Sequence, residues 1–177
     1  MKKLILSICA IALFAYTANA QFHIELGPSF NLPQGDFADS YDLGAGVYLE
    51  PRYAMTENID LGLHIGFGAF AGGDLAGGGG DVSAAGITPV LATGHYRFSS
   101  NNVTPYAGLG LGMYFVKSGD VSVAGGGTVE GTSDSEFGFA PRAGVFIGRM
   151  NLGVAYNIAG DLNYLQFMLG VRILSRD

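Results

Sequence analysis

From Phe22 onward, apolar side chains recur at every second position, in one stretch after another. The last stretch is the cleanest. Over residues 164–174, Leu165, Phe167, Leu169, Val171 and Ile173 fall on one face, and Tyr164, Gln166, Met168, Gly170 and Arg172 on the other. A period of two held this long predicts a strand. Its eleven residues also match the roughly 9–11 that a tilted strand needs to cross a bilayer.

Six further stretches show the same split. The first sets Phe22, Ile24, Leu26, Pro28 and Phe30 against His23, Glu25, Gly27 and Ser29; the third sets Ile59, Leu61, Leu63, Ile65 and Phe67 against Asp60, Gly62, His64, Gly66 and Gly68. The fourth, residues 85–98, has an ambiguous phase around Pro89 and Val90 and is expected to carry a bulge there. Between stretches the breaks alternate in length. They fall near residues 32–41 (long), 56–58 (short), 71–84 (long), 99–102 (short), 118–135 (long), 149–150 (short) and 159–163 (moderate). The pattern predicts an all-β chain: an eight-stranded antiparallel up-and-down transmembrane barrel with tight turns at one end and longer loops at the other. Glycine concentrates on the less apolar face. In a small barrel the lumen holds only side chains, so that face is expected inside and the apolar face outside. A soluble lipocalin-like barrel would reverse the two and expose Glu50, Arg52 and Arg172 to water.

The first twenty residues belong to a different element. Lys2 and Lys3, an apolar run over residues 4–18, and Ala18-Asn19-Ala20 form a secretory signal peptide, with residues 21–177 as the barrel domain. Cys9, the single cysteine, lies in that leader, so the mature chain has no disulfide, thiol nucleophile or thiolate metal site. Without Lys2 and Lys3, seven basic residues face fifteen acidic ones, a net charge of −8. Nucleic acid is excluded as a partner, because phosphate-backbone binding needs clustered positive charge. Positive mean hydropathy without a helical span is what alternating strands produce.

The leader, the eight alternating strands, the loop rhythm and aromatic strand ends such as Phe22, Tyr53, Tyr96, Phe98 and Phe115 resemble the small eight-stranded outer-membrane barrels, the OmpA- and OmpX-like group. The resemblance covers residues 21–177. It implies a location in the outer membrane with both termini in the periplasm, insertion by the barrel-assembly machinery, contact with membrane lipids and lipopolysaccharide, and a monomeric state. The family's closing strand commonly ends in an aromatic residue; this chain ends Ile173-Leu174-Ser175-Arg176-Asp177.

With outward-running odd strands, the charged residues of the inner face gather inside the barrel. His23, Glu25, Glu50, Arg52, Asp60 and Arg172 fall toward the periplasmic half, with Glu25 between Arg52 and Arg172; His64 lies on the same face, and Glu136 and Arg142 sit higher. Near-equal numbers of acids and bases predict a salt-bridged polar plug rather than an open pore. The three histidines, His23, His64 and His95, lie on three strands and are expected to be hydrogen-bonded fillers, with no metal and no cofactor. A lipid-modifying barrel enzyme ranks third: the nearest His-x-Ser candidate, His95-Tyr96-Arg97-Phe98-Ser99, has Arg97 where the serine belongs, so no enzyme is predicted. The outer loops are acidic, with Asp36, Asp39, Asp42, Asp74, Asp81, Asp120, Glu130, Asp134 and Asp161 opposed by Lys117. Residues 36–42 lack the spacing of a calcium loop, and the runs Gly77–Gly80 and Gly125–Gly127 read as flexible linkers, not phosphate cradles. The sequence thus points to a structural or surface-interaction barrel. The alternative is a narrow, passive, porin-like channel.

Overall fold

The structure is a computed structural model that describes residues 22–72, 80–98, 102–118, 121–123, 127–129 and 131–175. The leader and its cleavage site lie outside the described residues. Among the described residues, eleven strands occur in chain order: β1 (Phe22–Gln34), β2 (Tyr41–Ala54), β3 (Ile59–Gly72), β4 (Gly80–Val82), β5 (Ala85–Arg97), β6 (Val103–Lys117), β7 (Val121–Val123), β8 (Gly127–Val129), β9 (Ser133–Ile147), β10 (Met150–Ala159) and β11 (Leu162–Ser175). Eight of them close into an antiparallel barrel in the order β1-β11-β10-β9-β6-β5-β3-β2. Each pairs with its chain neighbour, and β1 pairs with β11 to leave no edge.

The faces sort as the alternation requires. Among the described residues, thirty large apolar side chains are exposed, from Phe22, Tyr53 and Tyr96 at the turn end to Phe67, Phe115 and Phe137 at the loop end. An apolar belt of that size is untenable in water. Glu50 and Arg52 are fully buried within, so the lipocalin arrangement is excluded. The glycines of the inner face make room for large neighbours. A Cβ on Gly144 would stand 2.7 Å from the Tyr106 ring, and one on Gly138 2.8 Å from Tyr114.

The fourth barrel strand, β5, corrects the sequence expectation. Its pairing with β3 holds one register from Ile59–Tyr96 to Phe70–Ala85, with no bulge at Pro89. The phase is ambiguous because this strand turns Ile87, Pro89 and Leu91 inward and leaves Thr88, Ala92 and Gly94 outside. The register shifts lie elsewhere, at Ile24/Glu25 in the β1–β11 pair and at Tyr41/Gly44 in the β2–β3 pair.

The connections also differ from the expected rhythm. β1 continues to Gln34, and a 3-10 helix, η1 (Gly35–Asp39), leads into β2, so the first outer loop is compact. The last outer connection is a two-residue turn, Gly160-Asp161, with Gly160 at φ 56°. Gly148 holds the matching place in the β9–β10 turn at φ 57°. Two-residue hairpins need a left-handed residue, which glycine supplies without strain. The two long loops are not wholly irregular: β4 from one and β7 and β8 from the other form a separate three-stranded sheet in the order β4-β7-β8. Gly80 and Gly127, expected in flexible runs, belong to that sheet; residues 77–79 and 125–126 lie outside the described residues.

Candidate functional site

The lumen is built in two layers. The layer nearer the turns is charged. Glu50, in the turn-end half of β2, is its hub and is fully buried. Its Oε1 accepts hydrogen bonds from Arg52 Nε at 3.0 Å and from the Thr93 hydroxyl at 2.9 Å. Its Oε2 accepts one from Arg142 Nη1 at 2.9 Å and faces His64 Nδ1 at 3.0 Å. A carboxylate only accepts, so His64 carries its proton on Nδ1. Glu25 is the second carboxylate. Its Oε1 accepts from the Tyr48 hydroxyl at 2.6 Å and from Asn151 Nδ2 at 2.7 Å, and its Oε2 lies 3.5 Å from Arg52 Nη2. Arg52 therefore joins both carboxylates, and Arg142 completes a group of two negative and two positive charges with no net charge. The Arg52 guanidinium also faces the Phe146 ring at 5.1 Å.

These side chains meet because their strands are neighbours and their registers align. Glu25 and Glu50 are cross-strand partners in the β1–β2 pair. Two carboxylates placed opposite one another would repel, and Arg52, two residues along the same face, supplies the charge that holds both. Arg142 reaches Glu50 from across the lumen, because Gly108 and Gly110 on β6 leave space between them.

Toward the turn end, Arg97 Nη2 lies 3.2 Å from Asp60 Oδ1 and also donates to the Thr56 carbonyl at 3.4 Å. His23 is buried on the same side. Arg172 is half-buried, and its guanidinium covers the Phe146 ring at 4.3 Å. It is the cross-strand neighbour of Glu25 by backbone register, but it stacks on an aromatic ring rather than bridging that carboxylate. Glu136 departs from the expected network altogether. It keeps the inward phase of β9, yet it lies beyond the rim and is exposed, next to the Gly160 turn.

The layer nearer the loops is apolar, which corrects the expectation of a polar lumen throughout. Phe70, Ile87, Leu91, Tyr114, Ala140, Ala159, Leu162 and Tyr164 pack together across the barrel. The rings of Phe70 and Tyr164 meet edge to face at 5.4 Å, and the Tyr114 hydroxyl donates to Asn157 Oδ1 at 2.9 Å. Above them η1 folds over the mouth, with Phe37 5.1 Å from Phe70 and 4.9 Å from Tyr41.

Sequence reasoning missed Tyr48, Thr93 and Asn151 as members of the charged layer; His95, expected as a lumen filler, is buried there. His95 Nε2 lies 3.8 Å from Glu50 Oε1, so two imidazoles approach one carboxylate, but the arginines already hold it. No cluster of three or more metal-ligating side chains occurs among the described residues. Arg97 stands where a His-x-Ser pair would need its serine, and Ser99 lies outside the described residues. At the loop end Asp36, Asp39, Asp42, Asp134 and Asp161 are exposed, and Glu136 joins them; Asp74, Asp120 and Glu130 lie outside the described residues, as does the side chain of Asp81.

No protein-family model matches this sequence, and no curated protein matches it. Solved structures do match. OprG from Pseudomonas aeruginosa is 15% identical with a TM-score of 0.58, over 88% of this chain and 97% of that one. Neisserial surface protein A is 13% identical with a TM-score of 0.54, over 85% and 95%. Ail, the attachment invasion locus protein of Yersinia pestis, is 20% identical with a TM-score of 0.53, over 86% and 97%. A second structure holds Ail in complex with the heparin analogue sucrose octasulfate.

Proposed function

We propose, from the fold shared with OprG, Neisserial surface protein A and Ail, that this chain is a monomeric barrel of the outer membrane, inserted by the barrel-assembly machinery with both termini periplasmic, and that it works as a closed scaffold presenting its loop end to the surroundings. The observation that supports this reading is a lumen filled by two layers of buried side chains, one charged and one apolar. An ion entering from the turn side meets first Asp60, Arg97 and Arg172, then the ion-paired group of Glu25, Glu50, Arg52 and Arg142, and would then have to cross a layer of Phe70, Ile87, Leu91, Tyr114 and Tyr164. Passage requires breaking buried ion pairs and dewetting an apolar plug. The polar group therefore acts as a structural filler.

Function then belongs to the loop end, where the exposed side chains are predominantly acidic. Ail takes a polyanionic heparin analogue; the charge on this chain favours a partner of the opposite kind, a cationic protein or peptide surface.

Conductance of the refolded mature barrel in a planar bilayer tests the reading, with the heat-dependent mobility shift on gels confirming the fold. A folded barrel is expected to show no discrete steps. Reproducible single-channel steps would overturn the scaffold and make Glu50 and Arg142 selectivity residues of a narrow channel. Immobilised polylysine is expected to retain the barrel at low salt and immobilised heparin to let it pass; the reverse order would overturn the assigned partner charge.

A further inference from the structure

Two grooves interrupt the apolar outer face, and they differ in one respect. The first, of about 410 Å³, is lined by Phe30, Ala143, Leu152, Val154, Phe167 and Leu169 and carries no charged side chain. The second, of about 580 Å³, lies at the loop end of β3, β5, β6 and β9. Its walls are Phe67 and Phe115. Its floor is the small-residue stretch of β5, where Thr88 is the cross-strand partner of Phe115 and Gly86 that of Lys117. A Cβ on Gly86 would meet nothing nearer than the Phe67 ring at 3.9 Å, so the recess above it is open. Ser133 and Ser135, the partners of Lys117 and Phe115 on β9, close the far side.

Lys117 marks the boundary of the apolar belt. Every outward side chain of β6 before it, from Val103 through Leu109 and Leu111 to Phe115, is uncharged, and Lys117 is the last residue of the strand. It is the only lysine or arginine at the loop end among the described residues, and it forms no salt bridge among them. Asp134, the one carboxylate lining the groove, is turned back on its own strand, with Oδ1 accepting the Ser135 N–H at 2.7 Å. An open apolar trough, an ammonium group at its mouth and two serines beside it suit a molecule with a hydrocarbon tail and a phosphate head. A lysine at the interface extends its ammonium toward the headgroups while its stem stays on apolar surface.

We propose that this groove is a binding site for a lipid of net negative charge that carries a phosphate, in the leaflet around the loop end. One acyl chain lies between Phe67 and Phe115 over Gly86 and Thr88, and Lys117 holds the phosphate with help from Ser133 and Ser135. The site goes beyond the closed-scaffold reading and does not depend on whether the lumen conducts.

The chain has no tryptophan, so a single introduced indole reports one place on the barrel. Phe115→Trp puts the reporter in the charged groove, and Phe167→Trp puts it in the uncharged one. Both variants are refolded into phosphatidylcholine vesicles containing increasing fractions of brominated phosphatidylglycerol or brominated phosphatidylcholine, and quenching is recorded. At Phe115→Trp the phosphatidylglycerol is expected to quench at roughly fivefold lower mole fraction, the preference that one lysine near an anionic headgroup provides. Phe167→Trp is expected to show no preference. Lys117→Gln added to Phe115→Trp is expected to abolish the preference, and Lys117→Arg to keep it. Equal quenching by the two lipids at Phe115→Trp, the same preference at both reporters, or a preference that survives Lys117→Gln would each overturn the site. Phe67→Trp serves as the groove reporter if Phe115→Trp does not refold.

Discussion

The two halves of the lumen solve the same packing problem with opposite chemistry. Toward the turns, Glu25, Glu50, Arg52 and Arg142 fill the space with charge, each held by at least one opposite partner. Toward the loops, Phe70, Ile87, Leu91, Tyr114 and Tyr164 fill it with apolar volume. The difference lies in how each half tolerates loss. An apolar layer loses contacts in proportion to the volume removed. A charged group is coupled, and removing one member leaves the others buried without a partner.

The sharpest way to break the comparison is Glu50→Ala. That change leaves Arg142, Thr93 and His64 without their shared acceptor and gives Arg52 only Glu25. Urea unfolding of the barrel in lipid vesicles is expected to show a loss of about 3–5 kcal/mol, the cost of opening a buried ion pair. A loss below 1 kcal/mol would mean that water already satisfies the arginines and that the layer is hydrated rather than sealed.

Leu91→Ala probes the other half at the boundary between the layers. The residue is buried, and its truncation is expected to cost about 2–4 kcal/mol in the same assay, from lost transfer energy and the cavity left behind. The contrast between the halves is then read from double variants. Leu91→Ala with Glu50→Ala should cost close to the sum if the layers are independent, whereas Arg142→Ala with Glu50→Ala should cost well under the sum, because both break the same bond.

Gly170→Ala is smaller and tests crowding within the charged half. An added Cβ would stand 2.5 Å from Glu25 Oε1, with the Tyr48 hydroxyl beside it. Relieving that contact pushes Tyr48 off its hydrogen bond to Glu25, and a destabilisation of about 1–3 kcal/mol is expected. The matched control is Gly94→Ala on the outer face, where the nearest atom is Leu61 Cδ2 at 3.8 Å and a change within about 0.5 kcal/mol is expected. Equal effects at the two glycines would mean that the lumen is looser than its contacts indicate.

How far each layer was legible follows from the same chemistry. Charged residues on an otherwise glycine-rich face are conspicuous, so Glu25, Glu50, Arg52 and Arg142 stood out from alternation alone. Their partners Tyr48, Thr93 and Asn151 did not, because an uncharged polar residue among glycines carries no signal of its own; only the register brings Asn151 to Glu25 across 126 positions of sequence. The apolar layer was hidden for a different reason. Ile87 and Leu91 point inward on β5, so the rule that apolar means outward gave this strand a false ambiguity. Glu136 was misplaced because phase gives the face of a strand but not its height, and β9 runs past the rim. The loop sheet β4-β7-β8 left almost no trace, since three-residue strands within glycine-rich segments show no measurable period.

The last prediction separates the apolar layer from the loop that covers it. Phe37 sits on η1, half-buried, with ring contacts to Tyr41 and Phe70. Phe37→Ala removes those contacts but leaves Phe70, Tyr114 and Tyr164 in place beneath. The expected loss is about 1 kcal/mol, the scale of an aromatic pair beyond its neighbours, and the barrel should stay silent in a planar bilayer. If Phe37→Ala alone produced conductance steps, the seal would reside in the loop, and the layer below would be too open to block an ion. Silence together with a small stability loss locates the seal in the strands themselves, where Phe70 of β3, Ile87 and Leu91 of β5, Tyr114 of β6 and Leu162 and Tyr164 of β11 fill the layer and none can leave without unfolding the barrel wall.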